Sequence, residues 1–222
     1  MNLIENKERI FSQVAQAMET ANRTDQVNVI AVTKYVGIDQ AKALVDTGVC
    51  HIGENRVDKF LEKYQALKVE GLTWHLIGSL QRRKVKEVIN YVDYFHALDS
   101  MKLAQEIQKR ASHPIKCFIQ VNISGEESKH GFAPEELDAI LPKLEGLDNL
   151  QIVGLMTMAP FEASQDELQK IFAATHQLQT ELQKKQLKNM PFTELSMGMS
   201  RDYDVAIANG ATFVRIGTSF FK

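Results

Sequence analysis

Short runs of β-forming residues alternate with helical stretches eight times along this chain, and that alternation restricts its fold more than any other feature. The runs are Val27–Thr33, Val49–Gly53, Thr73–Gly78, Val92–Ala97, Ile115–Ile123, Leu150–Met156, Phe192–Ser196 and Phe213–Gly217. Parallel strands need helical crossovers, so strict alternation predicts a parallel sheet. Eight strands close a (β/α)8 barrel. The alternative is an open doubly wound sheet, which would want a glycine-rich fingerprint after its first strand. Here the first run ends in Thr33-Lys34-Tyr35 instead. The chain is therefore read as an α/β protein, a single-domain (β/α)8 barrel over residues 1–222, somewhat short for a class that typically runs about 250 residues.

An extra helix precedes the first run, because Leu3, Ile4, Ile10, Phe11, Val14 and Met18 recur at helical spacing. Asn22–Gln26 form a polar break after it. Further boundaries are legible. Asp39 is expected to cap a helix from Gln40, stopped by Gly48. Ser100 is expected to cap Met101–Arg110, and Pro134 sits at a first-turn position. Gly210 is expected to end a helix that begins near Arg201. The formal net charge of −2 gives no electrostatic reason to expect nucleic acid or an anionic membrane as partner. The two cysteines, Cys50 and Cys117, have neither CxxC nor metal-ligand spacing and read as reduced, buried thiols. Charges at Glu5, Lys7, Glu8 and Arg9 interrupt any signal-peptide core, and Ile152–Phe161 is too short to span a bilayer. A cytoplasmic location is the expectation. No exposed apolar stripe demands a dimer, so a monomer is expected.

Three features carry chemistry. Lys34 follows the first strand, at the end of a barrel that faces the active site. Partial enclosure there would make its amine nucleophilic toward aldehydes; the bland reading is a solvated loop lysine. Ser196-Met197-Gly198-Met199-Ser200-Arg201-Asp202 follows the seventh strand and opens a helix. Ser200 could cap that helix, Gly198 could turn the backbone close to a ligand, and free N–H groups beside serine hydroxyls suit an anion. An ordinary capped loop is the alternative. Arg215-Ile216-Gly217-Thr218-Ser219 closes the last strand and adds further donors. Barrel phosphate sites are commonly built from these last two loops. Arg215 alternates with Val214 and Ile216, so it faces elsewhere, either into the barrel mouth or toward a carboxylate. Asn55 and His75 occupy polar strand-end positions. Asn55 could bond a phenolic oxygen or a phosphate, and His75 could line a ring or be a satisfied core residue. Asn122 to Ser124, and Ser128 to Gly131, follow the fifth strand as a polar loop.

Taken in order, Ala-Val-Thr-Lys, Gly-Glu-Asn, Trp-His-Leu-Ile-Gly-Ser-Leu-Gln, Asn-Ile-Ser, Ser-Met-Gly-Met-Ser and Val-Arg-Ile-Gly-Thr resemble the pyridoxal 5′-phosphate (PLP) homeostasis proteins. These are also called the YggS or PROSC family, and they include the YlmE type of bacterial member. The resemblance covers nearly the whole chain. It implies a barrel like the N-terminal domain of alanine racemase, PLP as cofactor, and Lys34 as the Schiff-base lysine. It implies Ser200, Gly217 and Thr218 as phosphate binders and Arg215 as the residue facing the pyridine nitrogen. Asn55, His75, Met156 and Ser196 are then expected to line the pocket. The chain departs from the family pattern at Tyr35, Val36 and Gly37, where many members have a basic or polar residue followed by proline. The lysine itself is retained.

A racemase needs a base on each face of its substrate. Lys34 serves one face. In alanine racemases the opposing tyrosine comes from a C-terminal domain for which this chain, ending four residues after Thr218, has no sequence. Tyr35 and Tyr203 are expected near the mouth, with nothing to set either opposite Lys34. The favoured expectation is a non-catalytic protein that holds PLP and supplies it to apo-enzymes. A low-activity amino-acid racemase is the rival, and a barrel kept only for structure is a third reading.

Overall fold

A computed structural model describes residues 2–126 and 130–222; Ser128 and Lys129 of the polar loop lie outside the described residues. Eight strands close a barrel in sequence order: β1 (Asn28–Val32), β2 (His51–Glu54), β3 (Thr73–Leu76), β4 (Tyr94–Leu98), β5 (Ile115–Gln120), β6 (Leu150–Met156), β7 (Glu194–Met199) and β8 (Phe213–Ile216). All neighbours are parallel, and β1 pairs with β8 to close the ring, Ile30 opposite Arg215. The helices are α1 (Leu3–Thr20), α2 (Ile38–Val45), α3 (Val57–Ala66), α4 (Val85–Val88), α5 (Met101–Arg110), α6 (Leu137–Glu145), α7 (Gln165–Gln183) and α8 (Tyr203–Ala208). The expected barrel and its extra leading helix are both present.

Period-two alternation sorts each strand between two layers. One set of side chains, including Val29, Ile52, Leu155 and Val214, is buried toward the helices, where α1 contributes Ile10 and Val14. The other set fills the barrel. In β8, Phe213 points inward, its ring 5.3 Å from Tyr94 of β4 and 5.6 Å from Phe118 of β5. Arg215 shares that inward face one step higher. The barrel interior is thus mostly aromatic and polar, with Ile30 and Met156 among the apolar exceptions, rather than the branched aliphatic filling usual for this fold.

Several boundaries differ from expectation. Asp39 lies inside α2, which starts at Ile38 after Gly37 as N-cap. Ser200 does not cap α8; the helix begins at Tyr203 and Asp202 holds the N-cap position. Gly198 has a positive φ of 92°, and a Cβ there would meet Ala206 at 2.6 Å. A side chain at this position would run into α8, which is what requires glycine here. Cys117 is buried, but Cys50 is exposed just before β2, because pairing in that strand begins one residue later. Ser100 does cap α5, accepting from the Leu103 N–H. Ser164 and Glu167 form a reciprocal capping box at the start of α7. Ser164→Ala is expected to lower the unfolding free energy by about 1 kcal/mol, measured by urea denaturation.

Candidate functional site

The C-terminal ends of the strands surround a cavity of about 720 Å³. Its wall brings together Lys34 from the loop after β1, Asn55 after β2, Ser200 after β7, and Arg215, Gly217 and Thr218 from the end of β8. Closing the barrel between β1 and β8 is what sets Lys34 beside residues about 180 positions away. Lys34 is exposed rather than enclosed, with its Nζ 4.9 Å from the centre of the Tyr35 ring. Tyr35 is 76% exposed and stands on the rim. Across the mouth, the loop after β6 contributes Met158, Pro160 and Phe161. Arg201 lies over the Phe161 ring at 4.2 Å and donates to its carbonyl at 3.1 Å, tying this loop to the one after β7.

The last two loops meet directly: the Gly217 N–H donates to Ser200 Oγ at 3.4 Å. Asp202, 7% exposed, accepts from the Met199 N–H at 2.5 Å and fixes the turn that presents Ser200. Burial raises the Asp202 pKa above its usual range, partly offset by the Met199 hydrogen bond. Arg215 is 5% exposed; it donates to Ser196 Oγ at 2.6 Å and to the Thr157 carbonyl at 3.0 Å. Burial lowers its pKa to about 10, so it stays protonated at neutral pH.

Three residues expected on the wall are not on it. His75, Met156 and Ser196 are at most 1% exposed and sit beneath the mouth, Ser196 behind Arg215. Their strands carry them inward one layer too low to meet the cavity. Tyr203 is also turned away, its hydroxyl donating to Gln13 of α1 at 3.1 Å. Conversely, the wall includes Gln120, Asn122, His130 and Asp202; the sequence placed the last three in polar loop segments without a binding role and did not mark Gln120. All four follow or end strands, which was the only signal available.

A buried ion pair supports the lysine from behind. Glu54 and Lys63 are 0% and 1% exposed and bonded to each other. Lys63 Nζ also donates to the Thr33 carbonyl at 2.7 Å, and Thr33 Oγ1 donates to Glu54 Oε1 at 2.6 Å. The backbone immediately before Lys34 is thereby fixed to α3.

Beneath the cavity, His75 and His96 are both fully buried, and burial holds their pKa values well below that of a free histidine. Both therefore fold neutral. In the unfolded chain they take up protons below about pH 6.5, so the unfolded state binds more protons and stability falls as pH falls. The two groups together are expected to remove about 2 kcal/mol between about pH 6.5 and 5.5, seen as a falling urea midpoint; His96→Phe should flatten that slope.

Comparison with known proteins follows the same lines. Residues 6–222 match the family described as "Alanine racemase, N-terminal domain". The pyridoxal phosphate homeostasis protein of Aquifex aeolicus is 39% identical over 225 residues, covering all of this chain and 98% of that protein. PipY of Synechococcus elongatus with PLP bound is 34% identical, with a TM-score of 0.88 and full coverage of both chains. Alanine racemase from Corynebacterium glutamicum, 13% identical with a TM-score of 0.73 over 99% of this chain and 60% of that one, shares the fold. Among the described residues no helix is long and apolar enough to cross a membrane.

Proposed function

Because the chain belongs to the pyridoxal phosphate homeostasis protein family, built on the alanine racemase N-terminal domain, we propose that its mouth cavity takes up PLP, held as a Schiff base on Lys34, and that the protein serves PLP homeostasis and cofactor supply. The observation that carries this reading is that a lysine amine and the donors of the last two loops line one cavity. The donor chemistry fits the cofactor. Ser200 Oγ, Thr218 Oγ1 and the backbone after β8 suit a phosphate, since hydroxyls and N–H groups serve anions well. The cavity volume lies within the range of small-molecule sites. Asn55 offers an amide to a phenolic oxygen.

When bound, PLP supplies a reactive aldehyde and an electron sink. The protein's part is to hold it. Arg215, a donor that keeps its charge, disfavours a proton on any ring nitrogen it faces and so weakens the sink. Tyr203 is engaged with Gln13, and Tyr35 is next to Lys34 on the same loop, so neither tyrosine offers a base from the opposite wall. These features favour a carrier over a racemase. A cytoplasmic monomer that passes PLP to apo-enzymes is the accompanying proposal.

The test is a visible spectrum of the protein with added PLP, followed by borohydride reduction and mass mapping. A yellow protein whose reduced pyridoxyl adduct maps to Lys34 is expected. A colourless protein would overturn the reading. Incubation with L-alanine in deuterated water is expected to leave the α-proton in place; exchange would establish the racemase instead.

A further inference from the structure

Five polar residues run in single file through the barrel interior and end on Arg215. His51 Nδ1 is 2.9 Å from His75 Nε2, His75 Nδ1 is 2.9 Å from His96 Nε2, and His96 Nδ1 is 2.8 Å from Ser196 Oγ. Ser196 Oγ in turn accepts from Arg215 Nη1. His51, at the first residue of β2, is half-buried at the opposite end of the barrel from the cavity. We propose that Ser196, His96, His75 and His51 are positioning residues, a directional hydrogen-bond column that holds the Arg215 guanidinium in one pose toward the cavity.

Counting donors gives the direction. Arginine only donates, so Ser196 must accept from it. The buried Ser196 hydroxyl then needs an acceptor of its own, and its remaining partner is His96 Nδ1. His96 therefore carries its proton on Nε2 and donates to His75 Nδ1. His75 by the same logic donates from Nε2 to His51 Nδ1. The rings have no room to flip: His75 stacks on Tyr94 at 4.9 Å, His96 stacks on Phe118 at 4.4 Å, and Phe213 abuts all three imidazoles. The charged and titratable neighbours leave the column neutral. Lys116, bonded to the Tyr94 hydroxyl, disfavours charge on His75 from below, and Arg215 does so on His96 from above. At the lower end burial lowers the His51 pKa, partly offset by Asp93; beyond Arg215 stands Asp202.

A merely space-filling core would use aliphatic residues here, because buried polar groups are costly unless every one is satisfied. Nor do the rings converge on a metal: among the described residues no group of three His, Cys, Asp or Glu could hold one. What the column does provide is a fixed acceptor for Nη1, while the Thr157 carbonyl fixes Nη2. Arg215 itself lines the cavity, so fixing two of its nitrogens fixes the face it presents there.

The significance for PLP rests on the function proposed above, so the experiment has one arm that needs no cofactor. In cofactor-free protein carrying ¹⁵N-histidine, long-range ¹H–¹⁵N correlation near neutral pH is expected to show His51, His75 and His96 all as Nε2–H tautomers. An Nδ1–H tautomer or a doubly protonated ring at His75 or His96 would overturn the column. Arg215 is expected to give separate, slowly exchanging Nη–H signals, and these should average together in Ser196→Ala and in His75→Phe, which keeps the stacked ring but removes both nitrogens. In the second arm PLP is the probe. His75→Phe is expected to bind it about tenfold more weakly and to shift the pH midpoint of its visible band. Wild-type affinity and an unmoved midpoint would assign the column a packing role only. If His75→Phe does not fold, His51→Phe at the half-buried end breaks the last link and is read in the same way.

Discussion

Lys63→Ala is expected to lower the unfolding free energy by about 3–5 kcal/mol, the largest stability loss foreseen from a single side chain away from the cavity. Lys63 and Glu54 are both withdrawn from water. Their attraction offsets the cost of desolvating two charges only while both are present. Truncating Lys63 leaves a carboxylate at 0% exposure whose Oε2 already has no partner among the described residues. It also removes the donor to the Thr33 carbonyl, so the segment that presents Lys34 loses its tie to α3. Equilibrium urea unfolding reads the first effect. The control is Glu54→Leu combined with Lys63→Met, which removes both charges at similar volume and is expected to regain most of the lost stability. A Lys63→Ala protein within about 1 kcal/mol of the parent would mean that the pair contributes no more than a solvent-exposed one.

How far the sequence carried the reading differs between strands and contacts. Leu150–Met156 was legible to the residue, because this short, mostly apolar run is bounded by Asp148-Asn149 before it and Pro160 shortly after it. The mouth residues Lys34, Asn55, Ser200, Arg215, Gly217 and Thr218 could be gathered because every one follows or ends a strand, and a parallel barrel sends all such ends to one rim. The depth of a side chain within the barrel was not legible. His75 and Ser196 have the right parity to face inward, yet one layer of stagger sets them under Arg215 rather than on the cavity wall. The histidine column was beyond reach for the same reason. Alternation says that His51, His75 and His96 face the interior, but only closure brings His96 within 2.8 Å of Ser196, 100 residues away. The ion pair does leave a trace in the sequence. In α3, Val57, Phe60 and Lys63 follow one another at the spacing of a buried face, and a lysine in an apolar register is a reason to look for its carboxylate.

Lys34→Ala is expected to abolish the borohydride-stable pyridoxyl adduct completely while leaving PLP affinity measurable. The two contributions to retention are separable because they come from different loops. The amine after β1 makes the covalent attachment. The hydroxyls and backbone after β7 and β8 hold the phosphate without it. Hydrogen bonds to a charged group are worth about 1.5–3 kcal/mol each, so phosphate contacts alone still support specific binding when the amine is gone. The complementary variant, Ser200→Ala with Thr218→Val, loses two such bonds. It is expected to weaken PLP binding by about 100-fold or more, yet at saturating PLP the reduced adduct should still map to Lys34. Equilibrium dialysis against PLP gives the affinities, and mass mapping after reduction gives the attachment point. An adduct that persists in Lys34→Ala would move the attachment to another lysine. A double variant with parental affinity would remove the last two loops from phosphate recognition and leave Arg215 and Asn55 as the groups that hold the ligand.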